Sequence, residues 1–242
     1  MHISHVVLHH ERFPTADHYP FCLPVLRQTE RLELNAPITF FVGENGSGKS
    51  TLLRAICRRC GIHIWEGMQR SRYTVNIYEN KLHRATEIRW TNGHMPGSYF
   101  GSDVFRDYAR VMDEWAAADP GQLQYVGGES LLTQSHGQSL MAYFRTRYRV
   151  PGVHLMDEPE TALSPASQID LLNLLTAMSE DGHAQFLIAT HSPILLACPD
   201  AKILSFDRIP IAAIEYRQTN HFKLYRRFLQ NPNAFIRHQN GT

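Results

Sequence analysis

The sequence predicts an α/β fold, and three observations carry that prediction. Strand-sized apolar runs alternate with stretches whose apolar residues recur three and four positions apart. One run, Ile38–Val42, enters a glycine-rich loop that opens directly into such a stretch. Two others, residues 153–156 and 186–189, end in the polar pairs Asp157-Glu158 and Thr190-His191. Material for a core is ample: 43 % of the 242 residues are apolar and 19 % charged, which excludes a disordered chain.

Each element has its own signal. Residues 50–60 read as a helix with Leu52, Leu53, Ile56 and Cys60 on one face. Residues 72–78 and 85–90 alternate polar and apolar side chains around Glu79-Asn80-Lys81, a hairpin pattern. Residues 91–130 are the least legible part, with a helix expected over 104–118. Helical spacing returns at Leu140, Phe144 and Tyr148, within residues 139–148. Ser164-Pro165 opens a further helix, serine as cap and proline in the first turn, running through Ile169, Leu172 and Leu175. Residues 203–206 and 212–216 read as two more strands. No repeat, low-complexity tract or linker interrupts the chain. Residues 1–242 are therefore expected to form one domain, with 61–130 as a variable hairpin and helical insertion.

Charge excludes little but directs attention. Lys and Arg number 24 against 23 Asp and Glu, a net charge of +1, so no strong overall field points to nucleic acid as a partner. No apolar run is long enough for a membrane span, and the N-terminus has neither the basic nor the apolar region of a secretory signal. Four cysteines in so long a chain make no disulfide framework, so a cytoplasmic protein without membrane insertion is expected.

The strongest motif is Gly43-Glu44-Asn45-Gly46-Ser47-Gly48-Lys49-Ser50, which fits G-x-x-x-x-G-K-[ST]. Its glycines let successive N–H groups turn toward one phosphate chain. Lys49 brings a charge for the β and γ phosphates, and Ser50 a hydroxyl for Mg²⁺. With Thr51 behind it, this loop is the expected ATP cradle. Asp157, ending a buried strand, has the Walker B arrangement and would hold the metal. Glu158 beside it is the candidate general base. Ser135-His136-Gly137-Gln138 precedes a helix, where free N–H groups bind anions; taken alone, this is equally a helix cap. His191 ends the strand at residues 186–189, where a histidine is either structural or reaches the γ-phosphate.

In order and spacing these four motifs resemble the ABC-type ATPases. Asp157-Glu158-Pro159-Glu160 and Thr190-His191-Ser192-Pro193 look like the soluble branch, the RecF-like, chromosome-maintenance and double-strand-break-repair heads. Three stretches are similar to a group of small stand-alone bacterial ATPases: Tyr19-Pro20-Phe21-Cys22-Leu23-Pro24, the run into the P-loop, and Glu158 through Pro165. The tail from His221-Phe222-Lys223-Leu224-Tyr225 is similar too. The resemblance implies a P-loop fold of ABC type: a mixed sheet flanked by helices, an N-terminal antiparallel part and a small helical insertion. It also implies a head-to-tail homodimer around two ATP molecules. Ser135, His136, Gly137 and Gln138 of one copy would meet the phosphate bound at Lys49 of the other. Lys49, Glu158 and His191 would be catalytic, and Ser50 and Asp157 would hold Mg²⁺.

The chain also departs from the family pattern. His136 stands where transporters have glycine, and Thr161-Ala162-Leu163-Ser164 replaces a stretch that carries aspartate in transporters. The Q-loop glutamine is left unassigned: residues 97–105 stand near its place and offer Asp103 rather than glutamine. For adenine stacking the chain has Tyr19 and Phe21, for which packing against the first sheet is the competing reading. Cys57 and Cys60 form a lone C-x-x-C read as structural, His9 and His10 lack ligand spacing, and Arg145, Arg147 and Arg149 are read as solvated. The function expected is an ATP-hydrolysing dimeric switch acting on an unidentified protein partner. The alternative is the nucleotide-binding subunit of a transporter. Too few residues follow His191 for a nuclease domain, and no heptads lie between Lys49 and Ser135 to build coiled-coil arms.

Overall fold

β3 (Ile38–Val42) lies inside a six-stranded sheet of order β5-β6-β7-β3-β8-β9. Its other members are β5 (Gly97–Gly101), β6 (Gly152–Asp157), β7 (Ala184–Ala189), β8 (Lys202–Ser205) and β9 (Ala212–Ala213). The first five strands in that order run parallel, and β9 closes the edge antiparallel to β8. The computed structural model describes residues 1–65, 76–103, 105–126, 128–130, 132–133 and 136–236. β3, β6 and β7 are buried along their whole length, as continuous apolar runs in a parallel sheet require.

Alternate side chains of these strands feed two cores. Phe41, Leu155 and Leu187 point toward α2 (Lys49–Arg59). Beyond α2 stands a small antiparallel sheet of β2 (Arg31–Glu33), β1 (Ile3–Leu8) and β4 (Thr86–Trp90). A short helix, α1 (Pro24–Arg27), joins that core. Phe40, Met156, Phe186 and Ile188 point the other way, toward α3 (Phe105–Ala118), α4 (His136–Arg147) and α5 (Pro165–Ser179). Period-two alternation thus makes one sheet the floor of two hydrophobic layers. Burying one phenylalanine of β3 contributes roughly 1.5–3 kcal/mol. Gln185 on β7 sews the small sheet to the large one. Its Oε1 accepts the N–H groups of His2 (2.9 Å) and Ile3 (2.7 Å), and its Nε2 donates to the carbonyls of Ile3 (3.0 Å) and Leu34 (2.9 Å).

Most expected elements are present, with instructive differences. Residues 85–90 do end in a strand, β4, but its partner is β1; of the other hairpin arm, 72–75 lie outside the described residues. β5 was not expected at all. Its signal is hidden because Gly97 packs against β6 so closely that a Cβ there would sit 2.1 Å from the Val153 carbonyl. The strand expected over 212–216 shortens to β9. On α5 the buried residues are Leu171 and Leu175, whereas Ile169 stays 51 % exposed. Ser164 caps this helix as expected, accepting the N–H of Ser167 at 3.1 Å. The chain ends in an unexpected helix, α6 (Asn220–Gln230), opened by Thr219, whose hydroxyl accepts the N–H of Phe222 at 3.1 Å. Among the described residues no helix is long and apolar enough to cross a membrane.

Candidate nucleotide site

The polar tips gather at one edge of the sheet, because β3, β6, β7 and β8 run parallel and all end there. The loop 43–48 turns from β3 into α2. Gly48 makes the turn with φ 100°, and a Cβ there would meet Leu23 at 3.0 Å, so glycine is needed on both counts. The first N–H groups of α2 consequently face the loop, with the positive end of the helix dipole behind them. Lys49 is buried and donates from Nζ to the carbonyls of Gly43 (2.8 Å) and Glu44 (3.0 Å). Burial lowers its pKa, and Glu158, Asp157, Asp207 and Glu44 oppose that shift.

Ser50 and Asp157 meet across the gap between α2 and β6: Ser50 Oγ donates to Asp157 Oδ1 at 2.7 Å. The other carboxylate oxygen accepts from Tyr99 OH on β5 at 3.2 Å. Arg54, one turn beyond Ser50, donates from Nε to Tyr99 OH (3.0 Å) and from Nη2 to Asp103 (2.8 Å). Burial raises the Asp157 pKa, while Ser50, Arg54 and Tyr99 hold it down. Two hard oxygens already side by side fit a Mg²⁺ ion, for which Ser50 and Asp157 would be the protein ligands. Tyr99, Arg54 and Asp103 thus form one polar network beside Asp157.

Glu158 leaves β6 in the left-handed region, φ 50° and ψ 55°, an unfavourable conformation for a non-glycine residue. The turn is held by its N–H bond to the Ala189 carbonyl at 2.9 Å. Its Oε1 lies 3.8 Å from His191 Nε2. Glu160 Oε1 accepts the backbone N–H of His191 at 2.6 Å, and His191 Nδ1 meets His221 Nε2 at 3.0 Å. Asp207, just past β8, accepts the N–H of Glu44 at 2.9 Å.

The structure thus brings the P-loop, Asp157, Glu158 and His191 together. It does not bring Gly137 and Gln138 to them. Ser135 lies outside the described residues. Gly137 and Gln138, at the start of α4 with His136, line a separate hollow of about 550 Å³ with Met141, Arg145, Ser167 and Asp170. Phe21 is a core residue, in ring contact with Phe13 and Tyr78. Tyr19 is 39 % exposed and hydrogen-bonds Thr51, so of the two aromatics only Tyr19 faces the P-loop helix. Cys57 and Cys60 are buried free thiols whose pKa values burial raises, that of Cys60 to about 12. Among the described residues no group of three or more His, Cys, Asp or Glu side chains is placed to hold a metal ion. His9 instead contacts Glu11 and Glu87, and His10 contacts the carbonyls of Leu26 and Thr29. Arg145, Arg147 and Arg149 are exposed, in agreement with the solvated reading, and Arg147 also donates to the Gly97 carbonyl at 3.2 Å.

Sequence reasoning missed five polar residues of this site: Arg54, Tyr99, Glu160, Asp207 and His221. Arg54 shares a helix face with Ser50, and Asp207 ends a strand beside β3, so both had a positional signal. Tyr99 had none, because its strand was not predicted; His221 lies at the start of a helix whose spacing of Phe222, Tyr225 and Leu229 was a usable signal.

Known proteins extend these observations. A family described as "AAA domain" matches residues 21–71, which contain the P-loop. Another, described as "AAA domain, putative AbiEii toxin, Type IV TA system", matches residues 139–197, which contain Asp157, Glu158 and His191. The phosphate import ATP-binding protein PstB 2 of Streptococcus pneumoniae (strain R6) is 27 % identical over 176 residues, 64 % of this chain and 65 % of that protein. The ferric enterobactin transport ATP-binding protein FepC of Escherichia coli K12 is 28 % identical over 170 residues, 63 % of this chain and 62 % of that one. The matches therefore span less than two thirds of either relative. CbiO1 from Clostridium perfringens, part of the ABC transporter complex CbiONQ, superposes with a TM-score of 0.50 at 16 % identity, over 97 % of this chain and 98 % of that one. The chain thus has a mixed α/β fold carrying a P-loop, similar in fold to CbiO1.

Proposed function

We propose that the chain binds Mg-ATP at Gly43–Ser50 and hydrolyses it to ADP and phosphate, working as an ATP-dependent homodimeric switch on a protein partner. The single observation carrying this reading is the Ser50–Asp157 contact of 2.7 Å, with Glu158 and His191 facing each other beside it. The P-loop N–H groups and Lys49 neutralise the phosphates. Bound at Ser50 and Asp157, Mg²⁺ would supply further charge neutralisation at the phosphate oxygens. Glu158 accepts the proton of the attacking water, and His191 Nε2 donates to the γ-phosphate. The water oxygen bonds to phosphorus as the bond to the ADP oxygen breaks.

Dimerisation is supported by the position of Gly137 and Gln138. They line a hollow that shares no residue with the P-loop, so a second copy would be needed to carry Ser135 and Gly137 to the bound phosphate. ATP as substrate favours the cytoplasm. Nucleic acid draws no support from a net charge of +1. A second reading, the ATP-binding subunit of a transporter, is favoured by the relatives PstB 2 and FepC. Against it stand the Thr190-His191-Ser192-Pro193 form and Ser164.

The test is phosphate release and fluorescent-ATP binding by the wild type and Glu158→Gln. The variant is expected to bind Mg-ATP and to lose roughly 10²–10⁴-fold in turnover. Equal turnover would remove Glu158 as base, and absence of nucleotide binding by the wild type would overturn the function. Co-purification of a membrane protein from native cells would favour the transporter reading.

A further inference from the structure

We infer that His221, on α6, is a positioning residue that sets the ring tautomer of His191 and thereby ties the C-terminal helix to the phosphate end of the site. The inference rests on the hydrolysis reading above for its kinetic consequence, though not for its chemistry. The two rings meet edge to edge, His191 Nδ1 to His221 Nε2 at 3.0 Å, with centroids 5.2 Å apart. Burial lowers the pKa of both imidazoles, so near neutral pH each ring carries one N–H. One must donate and the other accept.

The surroundings choose between the two arrangements. If His191 donated from Nδ1, its Nε2 would present a lone pair to the Glu158 carboxylate at 3.8 Å. His221 would then carry its proton on Nδ1, a buried atom without a hydrogen-bond partner among the described residues. His191 Nε2 is likewise buried without a hydrogen-bond partner among the described residues, so either arrangement leaves one N–H unpaired and the Glu158 charge decides between them. If His221 donates instead, His191 holds its proton on Nε2, directed at Glu158 and available to an anion. The atom of His221 left without a partner is then a bare acceptor. This second arrangement sets an N–H rather than a lone pair toward the carboxylate, and it is the one that lets His191 donate to a phosphate.

His221 is held in place from both sides. Asn220 donates to Asp207 Oδ2 at 3.3 Å, while Asp207 Oδ1 binds the P-loop N–H of Glu44. Tyr216 OH donates to the Pro193 carbonyl at 3.0 Å and packs against Phe222. No residue of α6 is fully buried, so a partner gripping this helix would act on His191 through one hydrogen bond.

The experiment is long-range ¹⁵N–¹H NMR of the histidine rings, combined with kinetics, on the wild type, His221→Leu and His221→Gln. His191 is expected in the Nε2–H form in the wild type, to lose that preference in His221→Leu, and to recover it in His221→Gln, whose amide N–H can donate. The kcat of His221→Leu should fall roughly 10-fold with KM for Mg-ATP nearly unchanged, and His221→Gln should recover most of it. An Nδ1–H form of His191 in the wild type, or a tautomer unchanged in folded His221→Leu, would overturn the inference. The wild-type spectrum decides even if His221→Leu does not fold. It also decides if the chain has no ATPase activity, so failure of the hydrolysis reading is separable.

Discussion

Glu160 Oε1 accepts the backbone N–H of His191 at 2.6 Å, binding the turn after β6 to the turn after β7. The carboxylate is largely buried, and burial raises its pKa while that hydrogen bond opposes the rise. Motivated by this contact, Glu160→Ala is predicted to free the His191 backbone and to reduce kcat by roughly 10–100-fold, with little change in nucleotide affinity. Stopped-flow phosphate release beside equilibrium ATP binding separates the two. A loss confined to binding would place Glu160 with the nucleotide rather than with His191.

Tyr99 is the second donor to Asp157, from a strand that bears no nucleotide motif. Tyr99→Phe should leave the carboxylate held by Ser50 and raise the Mg²⁺ concentration for half-maximal ATPase activity about 10-fold. A magnesium titration at saturating ATP measures this; an unchanged midpoint would show that Ser50 alone orients Asp157.

Dimer formation is expected to depend on nucleotide. With Glu158→Gln and Mg-ATP, multi-angle light scattering should read twice the monomer mass of 27.7 kDa, and the monomer without nucleotide. A monomer under both conditions would sink the switch reading while leaving ATP binding intact.

His154 sets a pH dependence away from the site. It is 1 % exposed, with Nδ1 against Ser98 Oγ at 2.8 Å and Nε2 against the Val150 carbonyl at 3.0 Å. Burial pushes its pKa down from 6.5 to about 4. A histidine lowered in the folded state stabilises above its unfolded pKa, and that contribution is lost as pH falls through the folded value. Stability from this residue should therefore hold above pH 6.5 and decline by about 3 kcal/mol toward pH 4. Urea denaturation at successive pH values checks this, and His154→Gln should flatten the decline.

Gln185 makes five hydrogen bonds that no apolar residue can replace. Gln185→Leu is predicted to leave the His2 and Ile3 N–H groups unpaired and to destabilise the fold by about 3 kcal/mol. The urea midpoint reports it; a shift within error would mean that water reaches these groups.

Legibility in the sequence followed locality. Gly43–Ser50, with strand before and helix after, is a contiguous phosphate cradle because its chemistry needs neighbouring N–H groups. Asp157-Glu158 and His191 were legible for a similar reason: polar residues ending buried apolar runs are conspicuous. β5 was hidden because its glycine serves contact with β6, whereas α6 did carry a helical pattern, Phe222, Tyr225 and Leu229 on one face, that was not assigned.

By itself, then, the sequence determined the nucleotide loop, the acidic strand end and the alternation that makes a parallel sheet. Those properties depend on residues adjacent in the chain. Tertiary structure alone decided that Tyr99 and Arg54 bracket Asp157, that Glu160 holds the backbone of His191, and that His221 meets its ring. Each of these contacts joins separate elements, and side-chain hydrogen bonds at 3 Å are specified only once the sheet has set those elements side by side.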